Sequence, residues 1–125
     1  MSLLLAATGP APVDEVWARY STPDRWVDWA PQIRSVSCSG PLAPGMSGTV
    51  HGPWPMRIPF EIRSVDAVAR VWSWRVGVGP LGVVMDHGVE ASGGGARAWV
   101  RIHAPAPLVA PYAPVARLAL RRLVG

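Results

Sequence analysis

His87 is the residue of this sequence whose type and position best suit it for chemistry. It lies in a segment of alternating pattern and shares one face with Val83, Met85 and Val89, because successive side chains of a strand point to opposite faces. Asp86 therefore points away from it. Burial disfavours the charged form of an imidazole, so His87 is expected to stay neutral. It could exchange a proton with a ligand or hydrogen-bond a ligand carbonyl, and it could equally be a core histidine with satisfied hydrogen bonds.

The sequence offers neither a second acid–base group beside His87 nor a pair of residues that could bind a metal. General acid–base catalysis requires a second polar group near the same reacting atom. The alternation puts Arg57, Glu61 and Arg75 outside, unless Pro59 introduces a bulge or marks an edge. The three histidines and the single cysteine, Cys38, form no close pair of ligands. We therefore expect no metal site and no cofactor.

The seven tryptophans are the main aromatic feature of the chain. Trp72 and Trp74 point to one face of a strand, where core packing and pocket lining are both compatible with the pattern. Trp54, between two prolines, would be either a gate over a pocket or a contact between molecules. The other tryptophans are expected to pack short helices onto a sheet or to lie on its outer face: Trp17, Trp26 and Trp29 in the first group and Trp99 in the second.

Composition limits the class of protein. A chain of 125 residues fits one domain, expected to span 1–125. No apolar run approaches the roughly 20 residues that cross a bilayer, and a single cysteine fits a reducing, cytoplasmic compartment. All 12 cationic side chains are arginines, spread along a chain of net charge +4, which disfavours a specific nucleic-acid surface.

Proline and glycine divide the chain into short segments. Alternation of period two predicts strands at residues 3–8, 33–39, 46–52, 56–62, 71–76, 83–89 and 97–103. The connections between the later strands are too short for crossover helices, so we expect antiparallel pairing. Spacings of three and four predict helices at 13–20, 23–29 and 115–123.

The last predicted helix is amphipathic, with arginines between its apolar residues. Pro111 and Pro114 are expected to delay or kink its start, because proline lacks the amide donor of the helix. Its apolar stripe is predicted to comprise Val115, Leu118, Leu120 and Leu123.

Several short motifs occur in a recognisable order. They are residues 11–17 (APVDEVW) and 23–29 (PDRWVDW), then Gly45, Gly48, the strand Trp72-Ser73-Trp74, and His87 shortly before the glycines at 93–95. Together they resemble the polyketide cyclase/dehydrase-like family of the START-like, or SRPBCC, superfamily. The resemblance implies an α+β helix-grip fold. In this fold a curved antiparallel sheet of about six or seven strands wraps around a C-terminal helix, with two short helices after the first strand.

The sequence departs from the family pattern at two places. Ala96 stands where members commonly have threonine, and the C-terminal helix is expected to be shorter and richer in proline than usual. Because this helix closes the cavity that the resemblance implies, the second departure bears on the size of that cavity.

Three functions are compatible with these features. The first is binding of a hydrophobic or aromatic small molecule between sheet and helix, with His87 and the Tyr112 hydroxyl orienting it. The residues expected to line this site are Met56, Phe60, Trp72, Trp74, Met85, His87 and Tyr112. The second is a polyketide cyclase/aromatase or dehydratase that uses His87 as acid and base. The third is a protein-interaction module resembling the chaperone-activating members of the superfamily, with a filled core. The oligomeric state stays open, a homodimer included.

Overall fold

One antiparallel sheet carries most of the residues that matter for function. The computed structural model describes residues 2–38, 40–53, 56–77, 79 and 82–125, apart from the Leu108 side chain. Within these residues seven strands pair in the order β1-β7-β6-β5-β4-β3-β2. Their bounds are β1 Ser2–Gly9, β2 Ser35–Ser37, β3 Ser47–His51, β4 Arg57–Asp66, β5 Val71–Val76, β6 Val83–Ser92 and β7 Gly95–His103.

Helices interrupt the strands early and follow them at the end. Helix α1 spans Val13–Ser21, a 3-10 turn spans Pro23–Arg25, α2 spans Trp26–Trp29 and α3 spans Ala106–Val124. This arrangement confirms the predicted α+β helix-grip fold. Among the helices of the described residues, none is both long enough and apolar enough to cross a membrane.

The register of the central strands brings the aromatic residues together. Trp72 of β5 lies opposite His87 of β6, and Trp74 lies opposite Met85. His87 in turn lies opposite Val100 of β7. Because directly opposed residues of an antiparallel pair share a face, these side chains all point toward α3.

Strand β4 corrects the expectation for Pro59. The strand is irregular between Ile62 and Ser64, not at Pro59, and it lies between β3 and β5, not at an edge of the sheet. Pro59 lies one position beyond Phe60–Val76, the terminal pair of β4 and β5, and its carbonyl accepts from the Gly77 amide at 2.8 Å. Its missing amide therefore falls at the end of that ladder, where the loss of one bond is tolerated.

Helix α3 corrects the expectation of a short, delayed helix. It runs for 19 residues and contains Pro111 and Pro114. These prolines and Pro107 are spaced by four and three residues and are all exposed, so they occupy one solvent-facing stripe. The carbonyls left without an amide donor on that stripe can hydrogen-bond to water, which is why the helix continues through both prolines.

The buried stripe of α3 also differs from the predicted one. Leu120 and Leu123 are buried as expected, but Val115 is only half-buried and Leu118 is 42% exposed. The other residues that face the sheet are mostly small: Val109, Ala113, Ala116, Ala119 and Val124. Alanine side chains reach less far toward the sheet than leucine or phenylalanine would, and they leave space in front of it.

Candidate ligand-binding cavity

A cavity of about 660 Å³ lies between the inner face of the sheet and α3. Strands β3 to β7 supply its floor, and α1 and α2 supply one end. Ala116 and Ala119 supply part of the α3 wall. The cavity therefore exists where the small residues of α3 face the concave side of the sheet.

Aromatic rings form one wall of the cavity. The Trp72 and His87 rings stack with centroids 3.8 Å apart and planes 6° apart. The Trp26 ring is also nearly parallel to Trp72, with centroids 5.5 Å apart. Trp74 meets both Trp72 and His87 edge-on, at 5.5 Å and 5.6 Å. Both geometries are favourable for aromatic pairs, so the wall is pre-formed.

His87 is a neutral polar group within this wall. Its side chain is 7% exposed, and the Tyr20 ring meets it edge-on at 5.8 Å. Burial lowers the pKa of His87 to about 3, although the adjacent Trp72 backbone and the charge of Asp86 act in the opposite direction. The imidazole is therefore uncharged at neutral pH, as its position in the sequence predicted.

Several buried polar atoms around the cavity lack a hydrogen-bond partner among the described residues. They are Nε1 of Trp72, Nε1 of Trp74, Nδ1 of His87 and Oε1 of Gln32. By contrast, the indole of Trp26 donates to the carbonyl of Tyr20 at 2.8 Å. Because buried polar groups are normally paired, this concentration at one cavity marks it as the candidate site.

The rim of the cavity joins α3 to the turn that follows α2. Gln32 Nε2 donates to the Tyr112 hydroxyl oxygen at 3.0 Å. Burial raises the pKa of Tyr112 despite this bond, so its hydroxyl stays protonated at neutral pH. Met56 is 51% exposed and lies at the open side.

Six of the seven predicted site residues line the cavity. They are Met56, Trp72, Trp74, Met85, His87 and Tyr112. Phe60 is buried, but it does not line the cavity. It packs against Trp26 and Trp74, with ring centroids 5.6 Å and 5.2 Å away, and so lies behind the aromatic wall. Trp54 lies outside the described residues, and its role as a gate stays a prediction.

Sequence reasoning missed part of the lining. Tyr20, Trp26 and Trp29 reach the cavity from the short helices, although helical spacing indicated only that the two tryptophans pack onto the sheet. Trp26 does both, since it is 1% exposed and lines the cavity. Gln32 lies in a turn, where no periodic pattern could have indicated it.

Several other polar groups lie on the outer face of the sheet. His103 and Asp86 pair there at 2.8 Å, His51 pairs with Ser37 at 2.8 Å, and Arg75 donates to the carbonyl of Gly79. No group of three potential metal ligands is found among the described residues. In the same part of the chain, no arginine, aspartate or glutamate lines the cavity.

Three solved structures share this architecture at low sequence identity. Ara h 8.0201 has a TM-score of 0.78 at 14% identity, covering 100% of this chain and 95% of its own. A protein from Nitrosospira multiformis has a TM-score of 0.81 at 17% identity, covering 99% and 94%. The di-domain ARO/CYC BexL from the BE-7585A biosynthetic pathway has a TM-score of 0.83 at 16% identity. The match covers 99% of this chain but only 45% of BexL. These likenesses establish the fold.

Sequence comparison establishes the family. No curated protein sequence matches the chain significantly. The family described as "Polyketide cyclase / dehydrase and lipid transport" matches it over residues 6–125. Since that match covers nearly the whole chain, the protein belongs to the polyketide cyclase / dehydrase and lipid transport family.

Proposed function

We propose that the protein binds a hydrophobic, aromatic small molecule in the cavity between the sheet and α3. The observation that carries this proposal is a cavity of about 660 Å³ whose lining is almost entirely apolar. Concave, mainly apolar sites with a few placed polar groups are typical of small-molecule binding. The family description, which includes lipid transport, supports the same class of ligand.

The aromatic wall would supply most of the affinity. A flat ligand beside Trp72, Trp74 and Trp29 buries apolar surface on both partners, at about 25 cal/mol per Å². Offset stacking or edge-on contact with an indole adds to this. His87 and the Tyr112 hydroxyl would then orient the ligand through hydrogen bonds.

Native mass spectrometry of the freshly purified protein tests the proposal. We expect a retained lipophilic species that solvent extraction recovers as one defined compound. In parallel, apolar and aromatic compounds that occupy the cavity should raise the melting temperature, since a ligand that binds only the folded state stabilises it. An empty protein that no member of a broad panel stabilises would contradict the proposal.

A second candidate function is catalysis, as a cyclase/aromatase or dehydratase on a polyketide-type substrate. The likeness to a protein described as a di-domain ARO/CYC favours it. His87 would be the acid and base, but a pKa of about 3 makes it a weak base in the free protein. Substrate-dependent turnover that His87→Gln abolishes, with folding intact, would support catalysis. Unchanged turnover in this variant would exclude the proposed role of His87.

The third candidate, a protein-interaction module, predicted a filled core and an apolar patch near Trp54. The open cavity favours small-molecule binding instead. Exposed large apolar side chains of the described residues come from separate places in the fold, such as Leu4 in β1, Val27 in α2 and Val68 in the turn between β4 and β5.

A further inference from the structure

The solvent-facing side of α3 carries an apolar stripe. The stripe consists of Pro107, Pro111, Pro114 and Leu118, all of them exposed. Their spacing of four, three and four residues places them on one face of the helix. No side chain between residues 106 and 116 is charged, so this part of α3 is uncharged toward water as well as toward the sheet. We call these four residues the outer stripe.

The outer stripe is not what an exposed helical face usually presents. Such a face normally carries charged and polar side chains. Helix stability does not favour the prolines, because each removes an amide donor from the helix. The stripe nevertheless presents a continuous ridge of methylene and methyl groups to the surroundings, and a contiguous apolar surface of this kind is typical of an interaction site.

Three arginines surround the C-terminal end of the outer stripe. Arg117, Arg121 and Arg122 are exposed on α3, next to Leu118 in the sequence or one turn beyond it. The helix contains no acidic residue, and the last one of the chain is Glu90. All aspartates and glutamates are among the described residues, and none of them pairs with these arginines. The three cations are therefore free to face an anionic surface.

An anionic lipid bilayer fits the stripe and the arginines better than another protein does. An amphipathic helix in a membrane interface places its apolar side among the headgroups and its arginines beside them, where long side chains can reach the phosphates. The carbonyls that Pro111 and Pro114 leave without a donor still meet water at that depth. The stripe has no aromatic anchor of the kind that dominates protein–protein interfaces.

We propose that the outer stripe and the three arginines dock the protein on the surface of an anionic lipid bilayer. The helix would lie along the surface, with Leu118 among the headgroups and the arginines at the lipid phosphates. This proposal goes beyond ligand binding in the cavity and does not depend on it. It would place the bilayer beside Tyr112, which belongs to the same helix and lies on the cavity rim.

Vesicle sedimentation of the full chain tests the docking. We would compare vesicles of phosphatidylcholine alone with vesicles that contain about 30% phosphatidylserine, at about 0.1 M salt and pH 7. We expect binding to the anionic vesicles to be at least about tenfold tighter, since each arginine near the surface adds to the attraction. Higher salt should weaken it. Equal binding to the two kinds of vesicle, or none to either, would overturn the proposal.

A matched pair of variants locates the charge. The double variant Arg117→Gln/Arg121→Gln should bind the anionic vesicles about tenfold more weakly than the wild type. Arg34→Gln/Arg63→Gln is the control, because it makes the same change of net charge at exposed positions outside α3, and it should stay within about twofold of the wild type. Equal losses in both would show that net charge governs binding, and docking through α3 would be wrong.

A second pair tests the apolar part of the surface. Leu118 and Leu4 are 42% and 43% exposed, so replacing either by serine should leave the fold intact, as thermal denaturation would verify. We expect Leu118→Ser to weaken binding about fivefold, while Leu4→Ser, in β1, stays within about twofold. If Leu118→Ser binds like the wild type, or if poly-L-glutamate binds the protein as tightly as the anionic vesicles do, the surface recognises acidic polymers by charge alone and the lipid assignment is wrong.

Discussion

The stacked pair of Trp72 and His87 sets the character of the cavity at the scale of single residues. Its 3.8 Å centroid separation follows from their positions directly opposite each other on β5 and β6. The stack keeps the imidazole away from water, and burial keeps it neutral. A polar group is thereby held in an apolar wall without bringing a charge into it.

Burial of His87 predicts that the protein loses stability in acid. Its folded-state pKa of about 3 is lower than its ordinary value of 6.5. Between these values the unfolded state binds more protons than the folded state, so the free energy of unfolding falls as the pH falls from about 6.5 toward 3. The slope of this contribution approaches about 1.4 kcal/mol per pH unit. Urea denaturation at a series of pH values measures it.

The His87→Leu variant isolates this contribution. The titratable groups nearest the imidazole are Tyr20, which faces it, and Asp86 on the opposite face. Tyr20 does not ionise in this range, since burial raises its pKa. We therefore expect the free energy of unfolding of the wild type, relative to that of the variant, to fall steadily below pH 6. A difference independent of pH would show that His87 titrates normally in the folded protein.

Strand alternation predicted which residues share the inner face of the sheet, but it could not predict which of them line the cavity. Trp72, Trp74, Met85 and His87 all lie on the inner face, as the period of two indicated. Phe60 has the same parity and lies behind the wall, because the extent of the cavity depends on how α2 and α3 cover the sheet. That packing involves contacts between segments distant in sequence, which a local pattern does not contain.

At the scale of elements, α3 shows why prolines misled the interpretation of the sequence. Pro111 and Pro114 were expected to delay or kink the start of the helix, although they share with Pro107 the spacing of one helical face. That face is exposed, and water can replace the lost hydrogen bonds. Recognising the stripe would have predicted the full helix.

Replacing a proline on that stripe should stabilise the protein. Pro114→Ala restores an amide that can donate to the carbonyl of Ala110, and alanine has the highest helix propensity. We expect the free energy of unfolding to rise by about 1 kcal/mol, because the gain is partly offset by the greater freedom of the unfolded chain. Chemical denaturation measures the change. A decrease would show that Pro114 is needed for the course of α3.

Arg19 of α1 fixes the end of α3. Its guanidinium Nη1 donates to the carbonyls of Leu123 and Gly125 at 2.7 Å and 3.0 Å. A cation near the last turn of a helix also interacts favourably with the helix dipole. The contact links the helix that closes the cavity to the element that supplies Tyr20.

Removing this contact should destabilise the fold. Arg19→Met keeps much of the side-chain length but leaves these carbonyls without a charged donor, at a cost of about 1–2 kcal/mol. Arg34→Met is the control, since it makes the same change of charge at an exposed position. Denaturation curves of the two variants test the prediction, and equal losses would contradict it.

At the scale of the whole molecule, the fold separates charge from the cavity. The ion pairs lie at the surface, including Arg97 with Glu90 and Arg70 with Asp14. The cavity is lined by apolar side chains and a few neutral polar groups. The overall architecture could be predicted from the order of periods along the chain and from the family resemblance. The volume of the cavity could not, because it depends on small residues of α3 that the predicted apolar stripe left out.

The central claim is that an aromatic molecule occupies the space in front of the α3 alanines, and filling that space tests it most directly. Ala116 lines the cavity, whereas Ala110 on the same helix is exposed. We would measure the affinity of 2-naphthol for Ala116→Phe and for the control Ala110→Phe, with folding checked by thermal denaturation. The account predicts that the folded Ala116→Phe variant loses binding by at least about tenfold while Ala110→Phe binds like the wild type. Equal affinity in both variants would contradict it.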